Sequence, residues 1–108
     1  MAKEEILSRC IDACTACADA CRECAEATRG MPDMLDCTRL CDECVQSCNR
    51  CIAEMRTCSN KECAACAEVC ERCAAECQKH NHEHCRRCAD ACRRCAETCH
   101  ASAALPIG

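Results

Sequence analysis

The cysteines of this chain recur every three or four residues, in four separate blocks. Cys10, Cys14, Cys17, Cys21 and Cys24 make the first, and Cys37, Cys41, Cys44, Cys48 and Cys51 the second. The third runs Cys63, Cys66, Cys70, Cys73 and Cys77, with Cys58 ahead of it. The fourth runs Cys85, Cys88, Cys92, Cys95 and Cys99. Alternating steps of three and four average about 3.5 residues, which holds every cysteine of a block on one stripe of an α-helix facing a partner. A strand needs a period of two, so the pattern excludes it. Between the cysteines stand mainly Ala, Glu, Arg, Asp and Lys, which favour helix and supply a solvated face.

Helix signals end between the blocks. Arg29-Gly30-Met31-Pro32-Asp33 carries a Gly stop and a Pro that opens the next helix. Thr57-Cys58-Ser59-Asn60 reads as a polar turn in which Ser59 or Asn60 caps the third helix. His80-Asn81-His82-Glu83-His84 joins the third helix to the fourth. Short connections make sequential helices antiparallel. The expected fold is all-α: an antiparallel up-down-up-down four-helix bundle with a cysteine-lined core, one domain over residues 1–108. The helices are expected at approximately 3–28, 34–56, 60–79 and 83–101, with a frayed tail over 102–108.

What fills such a bundle follows from composition. Among 108 residues there is no Phe, Tyr or Trp, whereas 21 are Cys. The few Ile, Leu, Val and Met residues cannot assemble an ordinary hydrocarbon core, so the thiols must occupy the interior. With cysteines at the a and d positions, the e and g flanks hold mostly small residues: Ala13, Ala18, Ala20, Ala25, Ala67, Ala74, Ala89, Ala91 and Ala96. Small flanks let helices approach and bring thiols from different helices together. Leu40, Val45, Ile52 and Val69 sit at similar flanks, where they seal the bundle or serve as an oligomer contact.

Cysteine at this density means either a disulfide scaffold or metal binding. The opening residues contain no apolar signal segment, and no later stretch approaches a membrane span, so a cytoplasmic protein with reduced thiols and no membrane partner is expected. The odd cysteine count also argues against a purely disulfide framework. Net charge is −4 with both signs mixed, and neither a basic patch nor an aromatic platform offers a surface for nucleic acid. No Ser/His/Asp constellation, phosphate loop or paired carboxylate site is visible, so an enzyme is not expected.

Thiolate is a soft ligand that favours Cu(I), Zn(II) and iron–sulfur clusters. Zinc wants closed tetrahedral sets of four, and a continuous tube of sulfurs offers no natural partition into them. Iron–sulfur motifs are local rather than spread over four helices. Cu(I) uses two or three sulfurs at a time, and thiolates bridge neighbouring ions. Capacity then approaches one ion per cysteine, or roughly 20 per chain. Two rival readings stand beside this one: a zinc or cadmium thiolate store, and a thiol-based redox buffer. The latter needs exposed low-pKa cysteines beside basic groups, whereas these face inward.

Antiparallel topology gathers the first and third connections at one end, with Met31, Met34, His80, His82 and His84. Met34 and His80 continue the seam outward from Cys37 and Cys77, so they are expected to point toward the mouth of the tube. Imidazole and thioether exchange more readily than thiolate, which suits entry and transfer; the alternative for the histidines is a solvated loop. Met55, Cys58, Cys63 and His100 fall at the far end, Met55 as a plug and His100 as a cation complementing its helix dipole. The candidate metal ligands are therefore the cysteines of the four blocks, Cys58, His80, His82, His84 and Met34.

The stretch from Cys77 to Cys88, Cys-Gln-Lys-His-Asn-His-Glu-His-Cys-Arg-Arg-Cys, with the C-x2-C-x3-C runs on all four helices, resembles the cytosolic branch of the bacterial copper storage proteins. The resemblance covers essentially the whole chain. It implies multiple Cu(I) ions bound by thiolates inside the bundle and assembly into a homotetramer. A copper chaperone or a copper-requiring client is the further partner expected.

Overall fold

The structure, a computed structural model, describes residues 2–107. Each cysteine block lies on its own helix: α1 Lys3–Thr28, α2 Leu35–Met55, α3 Cys63–Cys77 and α4 Glu83–Ala103. The 26 residues of α1 amount to about 39 Å of helix, close to the 43 Å long axis of a molecule 19 by 17 Å across. Around the axis, α1 packs on α2 and α4, and α3 packs on the same two helices. This is the antiparallel up-down-up-down bundle expected from the short connections.

Local chemistry sets the helix ends. Glu4 and Glu5 stand in the first turn of α1, where they complement the helix dipole. At the other end of α1, Gly30 adopts φ 87°, a left-handed conformation that costs glycine little, and the Arg29 N–H closes on Ala25 O. Pro32 then opens a 3-10 turn, Pro32–Met34, that leads into α2, so α2 proper starts one residue later than expected.

The second connection departs further from expectation. Cys58 takes φ 61°, which stops α2, and Lys61 and Glu62 form a turn closed by Cys63 N–H on Asn60 O, so α3 begins at Cys63 rather than at 60. Neither Ser59 nor Asn60 caps it. Asn60 instead donates both hydrogens of its Nδ2 to Ser102 O and Leu105 O, each at 2.9 Å. The C-terminal segment is consequently not frayed. Helix α4 runs two residues beyond its expected end, and Leu105 and Ile107 pack partly buried on the core. Gly108 of the expected tail lies outside the described residues. At the opposite end α3 stops at Cys77, two residues early, and continues as i→i−3 turns through His80.

Small residues decide how close the helices come. Ala18, Ala25, Ala67, Ala74, Ala89, Ala91 and Ala96 are buried at the flanks, with Val69 and Ile52 beside them; Leu40 and Val45 are half-buried. Polar pairs cross all four helix–helix boundaries: the ion pairs Arg29–Asp42 between α1 and α2, Arg72–Glu43 between α2 and α3 and Arg87–Glu23 between α4 and α1, and the His100 ring beside Glu71 between α3 and α4. All are exposed and each contributes little. The stability of the bundle rests on its interior.

Candidate metal centre

Twenty of the 21 cysteines are buried and all are free thiols. They stack as five rungs of four, each rung taking one sulfur from each helix. Nearest the α1–α2 and α3–α4 connections lie Cys24, Cys37, Cys77 and Cys85, with sulfur separations of 3.9 Å for Cys24–Cys37, 3.8 Å for Cys24–Cys85 and 3.9 Å for Cys37–Cys77. Cys21, Cys41, Cys73 and Cys88 form the next rung, where Cys21–Cys88 is 3.5 Å and Cys41–Cys73 is 3.8 Å. At the centre Cys17 stands 3.7 Å from Cys44, 3.9 Å from Cys70 and 3.6 Å from Cys92. The fourth rung is Cys14, Cys48, Cys66 and Cys95, with Cys14–Cys95 at 3.4 Å. The last, Cys10, Cys51, Cys63 and Cys99, has Cys10–Cys99 and Cys51–Cys63 both at 3.6 Å. These are contact distances, well beyond the ~2.05 Å of a disulfide bond.

The heptad spacing reappears along the tube. Contacts between sulfurs of one helix join residues four apart: Cys10–Cys14 and Cys17–Cys21 on α1, Cys88–Cys92 and Cys95–Cys99 on α4, all 3.9–4.0 Å. Four-sulfur sets within 4.8 Å of one another include Cys14, Cys48, Cys66 and Cys95; Cys17, Cys48, Cys70 and Cys95; Cys17, Cys21, Cys44 and Cys92; and Cys21, Cys73, Cys88 and Cys92. Neighbouring sets share members, so the sulfurs form a continuous lining instead of separate cages.

The thiols share protons. Hydrogen bonding from Cys41 and Cys77, with His84 adding to it, holds Cys24 down at about 6 against the effect of burial. Burial pushes Cys37 up to about 11. Deeper inside, Cys66 is held down chiefly by Cys14 and Cys88 chiefly by Cys21, whereas Cys21 is pushed up through Cys17 and Cys95 through Cys14. A thiol that donates to a neighbouring thiolate stabilises that anion and keeps its own proton. Protons therefore have to leave as metal enters.

At the connection end, His84 Nδ1 lies 3.5 Å from both Cys24 Sγ and Cys85 Sγ, so it joins the first rung directly. Exposed His82 stacks on His84, the ring centroids 5.2 Å apart. Met34, three residues before Cys37 of the first rung, is buried at 1% exposure. His80 departs from expectation: its Nε2 lies 2.9 Å from Glu76 Oε2 instead of facing the mouth. Burial alone pushes the Glu76 carboxyl up, yet hydrogen bonds from His80 and Lys79 leave it below its ordinary value. The His80 ring is therefore held by Glu76, one turn earlier in the chain.

The far end is closed. Leu7, Met55 and Ser102 continue the seams of α1, α2 and α4 past the last rung, and all three are buried. The Ser102 hydroxyl has no hydrogen-bond partner among the described residues. Cys58, expected among the ligands, stands outside the tube of thiols and is exposed. Its left-handed backbone turns the chain out of α2 before the seventh position of the repeat can face the axis. The signal was present in sequence, since Cys58 stands alone in a polar turn, five residues from Cys63 and out of the three-four spacing.

A four-helix bundle with an axis of shared, reduced thiols is a multinuclear thiolate metal-binding protein. The chain matches the copper storage protein family over residues 3–104 and belongs to that family. No curated protein matches it. Among solved structures it is similar to apo copper storage protein 3 from Bacillus subtilis, with 42% identity over 90% of this chain and 98% of that one and a TM-score of 0.82. The Cu(I)-bound form of that protein gives 40% identity, 92% and 99% coverage and a TM-score of 0.85. A cytosolic copper storage protein from Streptomyces lividans carrying five coppers gives 36% identity, 95% and 96% coverage and a TM-score of 0.88.

Proposed function

We propose that this protein stores Cu(I) in the cytosol, with the twenty seam cysteines as ligands and many ions per chain. The overlapping four-sulfur sets carry this reading, because a soft ion that takes two or three sulfurs, with thiolates bridging its neighbours, can use every sulfur of a continuous lining, whereas zinc takes four sulfurs per ion and would fill the same lining with far fewer ions. The Cu(I)-bound relative supports the choice of metal, and the Streptomyces protein, described as cytosolic, supports the compartment. Storage requires no catalytic group, and we assign none.

Titration of the reduced protein with Cu(I) under a competing chelator is expected to reach roughly one ion per seam thiol. Changing Cys41, Cys70 and Cys92 to Ser in turn should lower that capacity in steps. Abolition of binding by one such change would mean a single discrete cluster, and displacement of bound Cu(I) by equimolar Zn(II) would overturn the choice of metal.

The connection end is the proposed entrance, with His84 as its first nitrogen ligand, His82 stacked on it, and His80 and the Met34 thioether as further donors from the same end. Replacing all three histidines by Ala is expected to slow copper uptake several-fold in stopped-flow loading while leaving end-point capacity nearly unchanged. Lowered capacity at unchanged rate would make them storage ligands. A homotetramer is also proposed; apolar Leu35, exposed to 67%, and half-buried Leu40 and Val45 on α2 support contact between copies. A copper chaperone or copper-requiring client remains the expected further partner.

A further inference from the structure

A cavity of about 330 Å³ opens on the outer surface where the α3–α4 connection meets α4, beside the entrance. Its titratable lining is Lys79, His80, Arg86, Asp90 and Arg93, with the amides of Gln78 and Asn81 beside them. Three cations and one carboxylate therefore face one small space, in a chain whose net charge is −4. Arg93 is tied to Asp90 at 2.6 Å and Lys79 to Glu76 at 3.2 Å. Arg86 has no carboxylate partner among the described residues, and its Nη1 donates to Asn81 Oδ1 at 2.8 Å. That bond holds one edge of the guanidinium and leaves its remaining donors for an anion.

Position makes this cavity more than a charged patch. Arg86 follows Cys85 of the first rung, and His80 lies one turn beyond Cys77. An anion held by Arg86 and Lys79 is therefore placed at the same end of the bundle as the first rung of thiols. Volume matters too: 330 Å³ is at the lower limit of ligand pockets, enough for the carboxylate arm of a small molecule and too little to enclose a large one. The acidic member, Asp90, suits an ammonium group next to those carboxylates.

We propose that this cavity docks the carboxylate-bearing end of a small, zwitterionic, peptide-like thiol that carries Cu(I), and so presents the metal to the first rung. This rests on the Cu(I)-storage reading. Cu(I) delivered this way moves by ligand exchange without oxidation or reduction. A Cu–S bond to Cys85 forms as one to the carrier breaks, and the proton displaced from the Cys85 thiol is taken up by the released carrier thiolate.

The test compares two Cu(I) donors, the glutathione complex, which has carboxylates and an ammonium group, and the complex of the uncharged thiol dithiothreitol. Loading of the wild type from Cu(I)–glutathione is expected to saturate with donor concentration and to be slowed by S-methylglutathione, which lacks a free thiol. The double variant Lys79→Gln/Arg86→Gln should load from that donor roughly fivefold more slowly, and from dithiothreitol at the wild-type rate. Equal slowing from both donors would overturn the proposal, as would an equal loss in Arg50→Gln, which removes a cation from the exposed face of α2 and would mean long-range attraction alone. Direct binding gives an independent reading: S-methylglutathione should shift the amide resonances of Lys79 and Arg86 in the copper-free protein, and unshifted resonances would sink the docking site. Failure of the copper reading would show separately, as absent capacity from both donors.

Discussion

Loading the reduced protein with Cu(I) is expected to raise its thermal-unfolding midpoint by roughly 30 °C or more. A site filled at a hundred times its dissociation constant stabilises the folded state by about 2.7 kcal/mol, provided the unfolded chain does not bind. Three such sites give about 8 kcal/mol, and in a domain of this length 1 kcal/mol moves the midpoint by about 4–8 °C. Residual binding to unfolded thiols trims the effect, but unfolding destroys every set that draws sulfurs from different helices. The copper-free protein is expected to show a helical circular-dichroism spectrum already, because buried thiols pack as small apolar groups and 20 of them line the axis. A midpoint that does not move on loading would refute binding inside the bundle. A reduced apo protein that is coil would mean that metal builds the fold, as in zinc fingers.

Thiol labelling of the copper-free native protein should divide the 21 cysteines into one fast group and twenty slow ones. Cys58 is exposed on a turn, whereas the seam cysteines are at most 1% exposed and react only when the bundle opens. An opening cost of about 3 kcal/mol already separates the two classes by roughly a hundredfold. Cys58→Ser should abolish the fast phase and leave copper capacity intact. Cys58→Gly should also stabilise the turn by about 1 kcal/mol, since a left-handed backbone strains any residue with a Cβ. Several fast thiols would mean that a tube end frays open, and loss of capacity in Cys58→Ser would return that residue to the ligand set.

Much of this architecture was legible in the sequence because one residue type marks the helix stripe. Ordinarily a seam mixes Leu, Ile and Val with surface exceptions. Here, with aromatic residues absent, cysteine alone writes the three-four period, so helix number, inward face and ligand type could be read together. The short connections then dictated antiparallel neighbours. Gly30 also announced its own role, because a left-handed stop is a local property of the backbone.

Where residues at the bundle ends go was decided by tertiary partners. Asn60 reads as a helix cap, but two carbonyls at the end of α4, more than forty residues away in sequence, take both its donors and pin the tail. His80 lies on the seam by spacing, yet Glu76 one turn earlier holds its ring on the flank, while His84, off the three-four count, reaches Cys24 and Cys85. Cys58 belongs to the cysteine count but not to the tube. Periodicity along a helix is a short-range property that sequence alone specifies. Partner choice at a helix end depends on which distant groups arrive there, and only the folded chain brings them together.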